Sequence, residues 1–215
     1  MRLEESIVRQ ASSAMPEERR AAERAAPGLA IFLSIVLERN ATMNLVSARS
    51  SEPDVLVERH LFDSLFGLRY LPQRGPRPLR LLDLGSGGGF PAIPLLLVRG
   101  DLEGTLVESA AKKADFLTEV VKRLALKARV VTARFPDSFP MEIGPFDVLT
   151  TRAVAKAGKL VRRARPLLGP GARALLWTTA PLVPEAVRDS RAGRQTFHKA
   201  PWAERSGILA LECFT

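Results

Sequence analysis

The 215-residue chain contains one cysteine, Cys213, and only two histidines, His60 and His198. A single thiol forms no internal disulfide and no cysteine-rich zinc site, and two histidines are too few for a histidine-built centre. A metal-free protein of a reducing, cytoplasmic compartment is therefore expected. Long apolar stretches are also missing. The longest, Leu29–Leu37 and Phe90–Val98, run nine residues each, well short of the ~20 that cross a bilayer. The N-terminus carries Glu4, Glu5 and Arg9 without an apolar segment, so neither a signal peptide nor a membrane association is expected. Internal repeats and low-complexity tracts are absent as well.

What the chain does hold is the mixture of a globular protein, with 46% hydrophobic and 26% charged residues. Basic residues number 32 against 23 acidic ones, for a net charge of +9. An excess of this size favours a polyanionic partner, either nucleic acid or an acidic surface.

The order of signals predicts a helical N-terminal extension over 1–71 followed by an α/β domain over 72–215. Residues 3–24 are charged and alanine-rich, and the run Leu29–Leu37 after Pro27-Gly28 is apolar on nearly every helical face. That run should be buried against something larger. Ser51-Glu52-Pro53-Asp54 fits a capping box with proline in the first turn of a helix reaching about Tyr70. Pro72–Pro78 then ends the helical region. Strand and helix alternate from Leu79 onward. Strands are predicted at Leu79–Leu84, Thr105–Glu108, Arg129–Ala133, Phe146–Thr151 and Ala172–Thr178. Helices are predicted at Pro91–Arg99, Ala111–Leu124 and Ala153–Pro166. Alternation of this kind gives a parallel sheet covered by helices on both faces. Gln195–Lys199 and Ile208–Phe214 have no helical spacer and should pair antiparallel, completing seven strands in a Rossmann-like fold.

Asp83-Leu84-Gly85-Ser86-Gly87-Gly88-Gly89-Phe90 closes the first of these strands. Glycines let the backbone turn tightly and let a ligand approach where a Cβ would clash. Glu108 follows 23 residues after Gly85, at the end of the second strand, where a carboxylate can accept from both hydroxyls of a ribose. The dinucleotide fingerprint calls for Gly or Ala at the position that Phe90 occupies. A pyrophosphate is poorly served by this loop, and the smaller S-adenosylmethionine suits it better.

These residues resemble the cofactor motif of class I S-adenosylmethionine-dependent methyltransferases. More closely, the chain resembles the GidB/RsmG family, which methylates N7 of a guanosine in bacterial 16S ribosomal RNA. The likeness rests on Asn44-Leu45-Val46-Ser47, on Arg59-His60-Leu61-Phe62-Asp63-Ser64, and on Gly85 through Pro91 with Ile93-Pro94-Leu95. Glu108-Ser109, Lys112-Lys113, Phe116-Leu117 and Thr151-Arg152-Ala153 extend it, so that it covers about residues 30–180. Two departures stand out. Arg134 is followed by Phe135-Pro136 where the family has a small residue and Glu, and Trp177-Thr178-Thr179 stands where it has a lysine.

The resemblance implies S-adenosylmethionine as cofactor, held by Asp83, Gly85, Gly87, Gly89, Phe90, Glu108, Ser109, Phe135, Pro136 and Arg152. It implies ribosomal RNA or the small ribosomal subunit as partner, and a monomer is expected. It also raises the reading in which His60 and Asp63 line the cofactor mouth, with Arg152 positioning cofactor or substrate. Spacing alone allows His60–Ser64 and Arg59–Asp63 to be ordinary helix surface pairs. Guanine N7 carries a lone pair and no proton, so its methylation needs orientation and no general base. Arg152, Lys156, Lys159 and Arg163 fall at i, i+4, i+7 and i+11 of the predicted fourth-strand helix, within an arc of about 60°. With Lys112, Lys113 and Arg134 they are the candidate RNA-binding residues. Open alternatives are methylation of a small molecule or protein, and an RNA-binding relative without turnover. An NAD-dependent dehydrogenase is disfavoured by Phe90.

Overall fold

The computed structural model describes residues 3–14, 19–47, 52–154 and 156–212. Ser51 and Cys213 lie outside them. The chain begins with α1 (Leu3–Ala14) and α2 (Arg19–Met43), two amphipathic helices that pack on each other. The run Leu29–Leu37 sits in α2, with Leu29, Phe32, Leu33, Ile35 and Val36 buried. Ile31, at 43% exposure, and Ser34 face outward. Helix α2 continues through Pro27.

The next helical stretch, over 53–70, is not one regular helix. It passes from α3 (Pro53–Leu56) through a π turn (Val57–Phe62) and α4 (Asp63–Leu65) into a 3₁₀ turn (Phe66–Tyr70). Pro53 opens it as expected, but the N-cap position is Glu52, whose side chain makes no capping bond. The expected capping box involves Ser51, outside the described residues; the Asp54 carboxylate accepts from Ser6 Oγ of α1 at 2.6 Å.

Seven strands follow: β1 (Leu79–Leu84), β2 (Leu102–Glu108), β3 (Ala128–Thr132), β4 (Phe146–Arg152), β5 (Leu168–Thr179), β6 (Arg194–Lys199) and β7 (Ser206–Glu212). They form one sheet in the order β3-β2-β1-β4-β5-β7-β6. The first five are parallel, and β7 runs antiparallel to both β5 and β6. Helices α5 (Ala92–Val98), α6 (Ala111–Arg123), α7 (Ala157–Ala164) and α8 (Val183–Ser190) complete the layers. The fold is the Rossmann-like one that the alternation predicted. Alternate strand residues feed two cores. Leu81, Leu106 and Leu175 pack with Phe32, Leu61 and Phe62 of the N-terminal helices. Leu82, Leu149 and Leu176 pack with Val161, Ala164 and Ala186 of α7 and α8. The strand order reverses between β1 and β4, which opens a crevice at their carboxyl ends.

The helix predicted over Ala153–Pro166 is corrected by the structure. Arg152 remains in the ladder opposite Trp177, and Ala153 and Lys156 take left-handed backbone conformations with φ of 54° and 59°. Two such residues interrupt a right-handed helix, so α7 starts only at Ala157 and ends at Ala164. Helix α8 went unforeseen, because an eight-residue segment with Pro184 inside its first turn carries little periodic signal.

Candidate active site

The loop after β1 turns back with positive φ at Gly85 (75°), Gly87 (49°) and Gly89 (87°). These glycines serve different ends. A Cβ on Gly85 would stand 2.8 Å from Val154 Cγ2, and one on Gly89 2.8 Å from Ile93 and 3.2 Å from the Phe32 ring. Both are needed for packing. Around Gly87 the nearest atom to such a Cβ is the Gly85 carbonyl at 3.8 Å. Gly87 thus offers the open cradle that a ligand requires.

Glu108, at the carboxyl end of β2, is largely buried. Its Oε2 accepts the Gly87 amide at 2.9 Å and its Oε1 the Ala110 amide at 2.8 Å. The carboxylate thereby fixes the loop; Oε1 also accepts from Ser109 Oγ at 3.5 Å, and Oε2 retains a lone pair for a further donor. Asp83 is buried at the end of β1. Its Oδ1 accepts from Thr150 Oγ1 at 2.6 Å, while Oδ2 has no hydrogen-bond partner among the described residues. Burial pushes the Asp83 pKa up to about 6, against the Thr150 hydroxyl that favours the charge and together with the nearby Glu108. An orphaned buried oxygen of this kind is a place for a cationic donor.

The π turn forms the opposite rim. The His60 ring meets Phe90 at 5.3 Å, and Phe90 meets Phe32 at 5.0 Å. Burial lowers the His60 pKa to about 3, helped by the charges of Arg152 and Arg59, so the imidazole is neutral at physiological pH. Asp63 lies one turn on and binds Arg152 at 3.2 Å. Arg152 also donates to the Arg59 carbonyl at 2.9 Å and the His60 carbonyl at 3.5 Å. Burial raises the Asp63 pKa, with Arg152 opposing. Arg152 therefore ties the sheet edge to the π turn, which its position in the sequence did not reveal. Two cavities meet at this pair. One, of about 470 Å³, lies between the π turn and the 202–206 loop. The other, of about 450 Å³, lies over the ends of β4, β5 and β7.

Trp177 is a residue whose role the sequence hid. Its Nε1–H donates to the Asp63 carbonyl at 2.6 Å, and a Cβ on Gly67 would stand 2.6 Å from its ring. Trp177 thereby clamps the end of β5 onto the segment from Asp63 to Gly67. Phe135 packs edge-on against Phe139 at 5.5 Å, with Pro136 half-buried beside it and Ser109 exposed.

The basic candidates do not form one stripe. Arg152 is on a strand and Lys156 on the turn before α7, while Lys159 and Arg163 belong to the helix. Lys159 is also compensated, lying 3.9 Å from Asp189 of α8. Lys156, Arg162, Arg163 and Arg165 are exposed. Lys112 and Arg134 are exposed too, and Lys113 reaches the Asn44 carbonyl at 3.5 Å.

Comparison with known proteins adds to this geometry. The family profile described as rRNA small subunit methyltransferase G matches residues 26–192. The ribosomal RNA small subunit methyltransferase G of Leptothrix cholodnii is 39% identical over 147 residues, 68% of this chain and 66% of that one. The protein of the same name from Halorhodospira halophila is 40% identical over 140 residues, 65% of this chain and 62% of that one. The chain thus spans a little under two thirds of the length of these curated relatives. Among solved structures, the S-adenosylmethionine-dependent methyltransferase SibL in its apo form aligns with a TM-score of 0.61 at 14% identity. That alignment covers 99% of this chain and 74% of SibL, a likeness of fold.

Proposed function

The chain belongs to the GidB family of small-subunit ribosomal RNA methyltransferases, and from that premise we propose that it transfers a methyl group from S-adenosylmethionine to N7 of a guanosine in 16S ribosomal RNA. The observation that carries this reading is the cradle at Gly87, flanked by Glu108 and the orphaned Asp83 oxygen. A donor set of this kind fits the cofactor. Glu108 would take the ribose hydroxyls, and Asp83 the cationic ammonium of the amino-acid end. Gly85 and Gly89 shape the loop, and Phe90 closes its His60 side. Ser109, Phe135 and Pro136 would flank the base end. The cofactor supplies an electrophilic sulfonium methyl.

The protein's own task is then to orient and to exclude water. His60, neutral and against Phe90, and the Asp63–Arg152 pair are positioning residues on the substrate side. No group has to remove a proton, since N7 has none. The exposed cations Lys112, Arg134, Lys156 and Arg163, with Lys113 and Lys159, would meet phosphates of RNA or of the small subunit. The 1–71 helices act as an extension packed on the 72–215 domain, and the protein works as a cytoplasmic monomer.

The test is transfer of labelled methyl to small subunits and to free 16S RNA, with the modified base mapped. Methylguanosine in the RNA is the expected product. Its formation rate should stay nearly flat from about pH 6.5 to 9. A tenfold rise per pH unit would indicate an amine or hydroxyl nucleophile instead.

A further inference from the structure

The cavity between the π turn and the 202–206 loop is lined by residues that the proposed cofactor site does not use. Its volume of about 470 Å³ is within the range that receives a small-molecule-sized group. Trp202 lines it, half-buried, with its ring edge-on to Phe66 at 5.5 Å. Two exposed carboxylates, Glu58 on the helical wall and Glu204 on the loop wall, also line it. Neither has an ion-pair partner among the described residues. Each has an exposed arginine beside it in the chain, Arg59 and Arg205, and both arginines face the same cavity. The Asp63–Arg152 pair closes it toward the sheet. An aromatic face, acceptors at the edge and cations beside them suit a flat heterocycle whose edge donates hydrogens and whose backbone is anionic.

We infer that this cavity receives the target guanine itself, with Trp202 against the face of the base, the Glu204 carboxylate accepting from its N1–H and one amino hydrogen, and Glu58 on the facing wall accepting from the other amino hydrogen. The inference rests on the guanine-N7 reading above and adds how the base is selected. In a purine, N7 lies on the side opposite N1 and the 2-amino group. A base that turns N7 toward the glycine loop, past the His60–Phe90 contact, must turn its donor edge to the far wall, where Glu204 stands. Guanine satisfies carboxylates there. Adenine would set an N1 lone pair against them and leave a charge without a donor. Arg59 and Arg205 are then placed for flanking phosphates, and the nucleotide enters unstacked from its neighbours. Trp202 and Glu204 become specificity-determining residues on a loop that the glycine motif does not point to.

The experiment compares wild type, E58Q/E204Q, W202F and W202A on RNA carrying either guanosine or inosine at the mapped target. Inosine keeps N7 and N1–H but lacks the 2-amino group. Wild type should lose about tenfold or more in kcat/KM with inosine. In E58Q/E204Q the guanosine rate should fall by a similar factor and the inosine penalty should shrink to about twofold or less. W202A should lose about fivefold or more, with W202F intermediate. Affinity for S-adenosylmethionine should be unchanged throughout. The two glutamates are exposed, so that pair decides the matter even if W202A fails to fold. If wild type methylates RNA while E58Q/E204Q keeps both its rate and its inosine penalty, the pocket assignment is wrong. If wild type binds S-adenosylmethionine but methylates no guanosine, the family-based reading fails, and the pocket falls with it.

Discussion

Glu108 holds two backbone amides, those of Gly87 and Ala110, and so joins the loop's shape to the acceptor that a ribose would need. Glu108→Ala removes both functions at once. Cofactor binding measured by calorimetry should weaken by about 1–3 kcal/mol, the range for charge-assisted hydrogen bonds. His60 makes a separate prediction about acid. Its folded pKa of about 3 lies below the ordinary 6.5, so the unfolded chain binds this proton first. The stability it lends is fully present above pH 6.5 and is lost as pH falls toward 3. Denaturant melts at pH 7 and 4.5 should therefore show a drop that is smaller by about 2 kcal/mol in His60→Gln than in wild type. Asp83 runs the other way. Its raised pKa, about 6, means that its buried charge weakens the fold as pH climbs through the interval between about 4 and 6. The glycine pattern and Glu108 were legible in the sequence because each is local and spaced by one strand and one helix. Which glycine faces open space was not, since Val154, Ile93 and Phe32 close on the others from distant positions.

At the level of elements, the decisive contact is between the π-turn segment and β5. Gly67 lets the Trp177 ring lie flat where a Cβ would stand 2.6 Å away. Gly67→Ala should thus cost about 1–3 kcal/mol by overpacking, more than the roughly 1 kcal/mol of helix propensity that it gains. Combining it with Trp177→Leu should recover part of that loss, a coupling readable by a double-mutant cycle in thermal melts. Helix α7 shows a similar need for glycine, since a Cβ on Gly158 would overlap the Ala186 carbonyl of α8. The sequence placed a longer helix here because Ala153–Pro166 contains good helix formers. What it could not contain is the pairing of Arg152 with Trp177, which keeps Arg152 in the sheet and forces the left-handed turns at Ala153 and Lys156.

For the whole molecule, the excess of nine positive charges includes the exposed side chains of Lys112, Arg134, Lys156 and Arg163, which the proposed function assigns to RNA. RNA affinity should fall as salt rises, with a log–log slope of about −0.7 for each contacted phosphate of a single strand. Changing Lys156, Lys159 and Arg163 together to Gln should flatten that slope by about one to two units. The smaller value reflects the partnership of Lys159 with Asp189. Filter binding across a salt series reads this directly, and an unchanged slope would place the RNA on other cations.

The sequence alone determined the layered α/β architecture, the glycine loop with its acidic partner, and the surplus of positive charge. Each follows from spacing or composition along the chain: the alternation of strand and helix signals, glycines at a strand end, a count of side chains. Tertiary structure decided the rest. It bent the 53–70 segment through a π turn, drew Arg152 onto Asp63 across 89 residues of chain, and set Trp202 and Glu204 opposite Glu58 around one cavity. These contacts join residues far apart in sequence. Their free energies depend on packing and burial that no local pattern records, because desolvation and steric fit exist only once the distant surfaces have met.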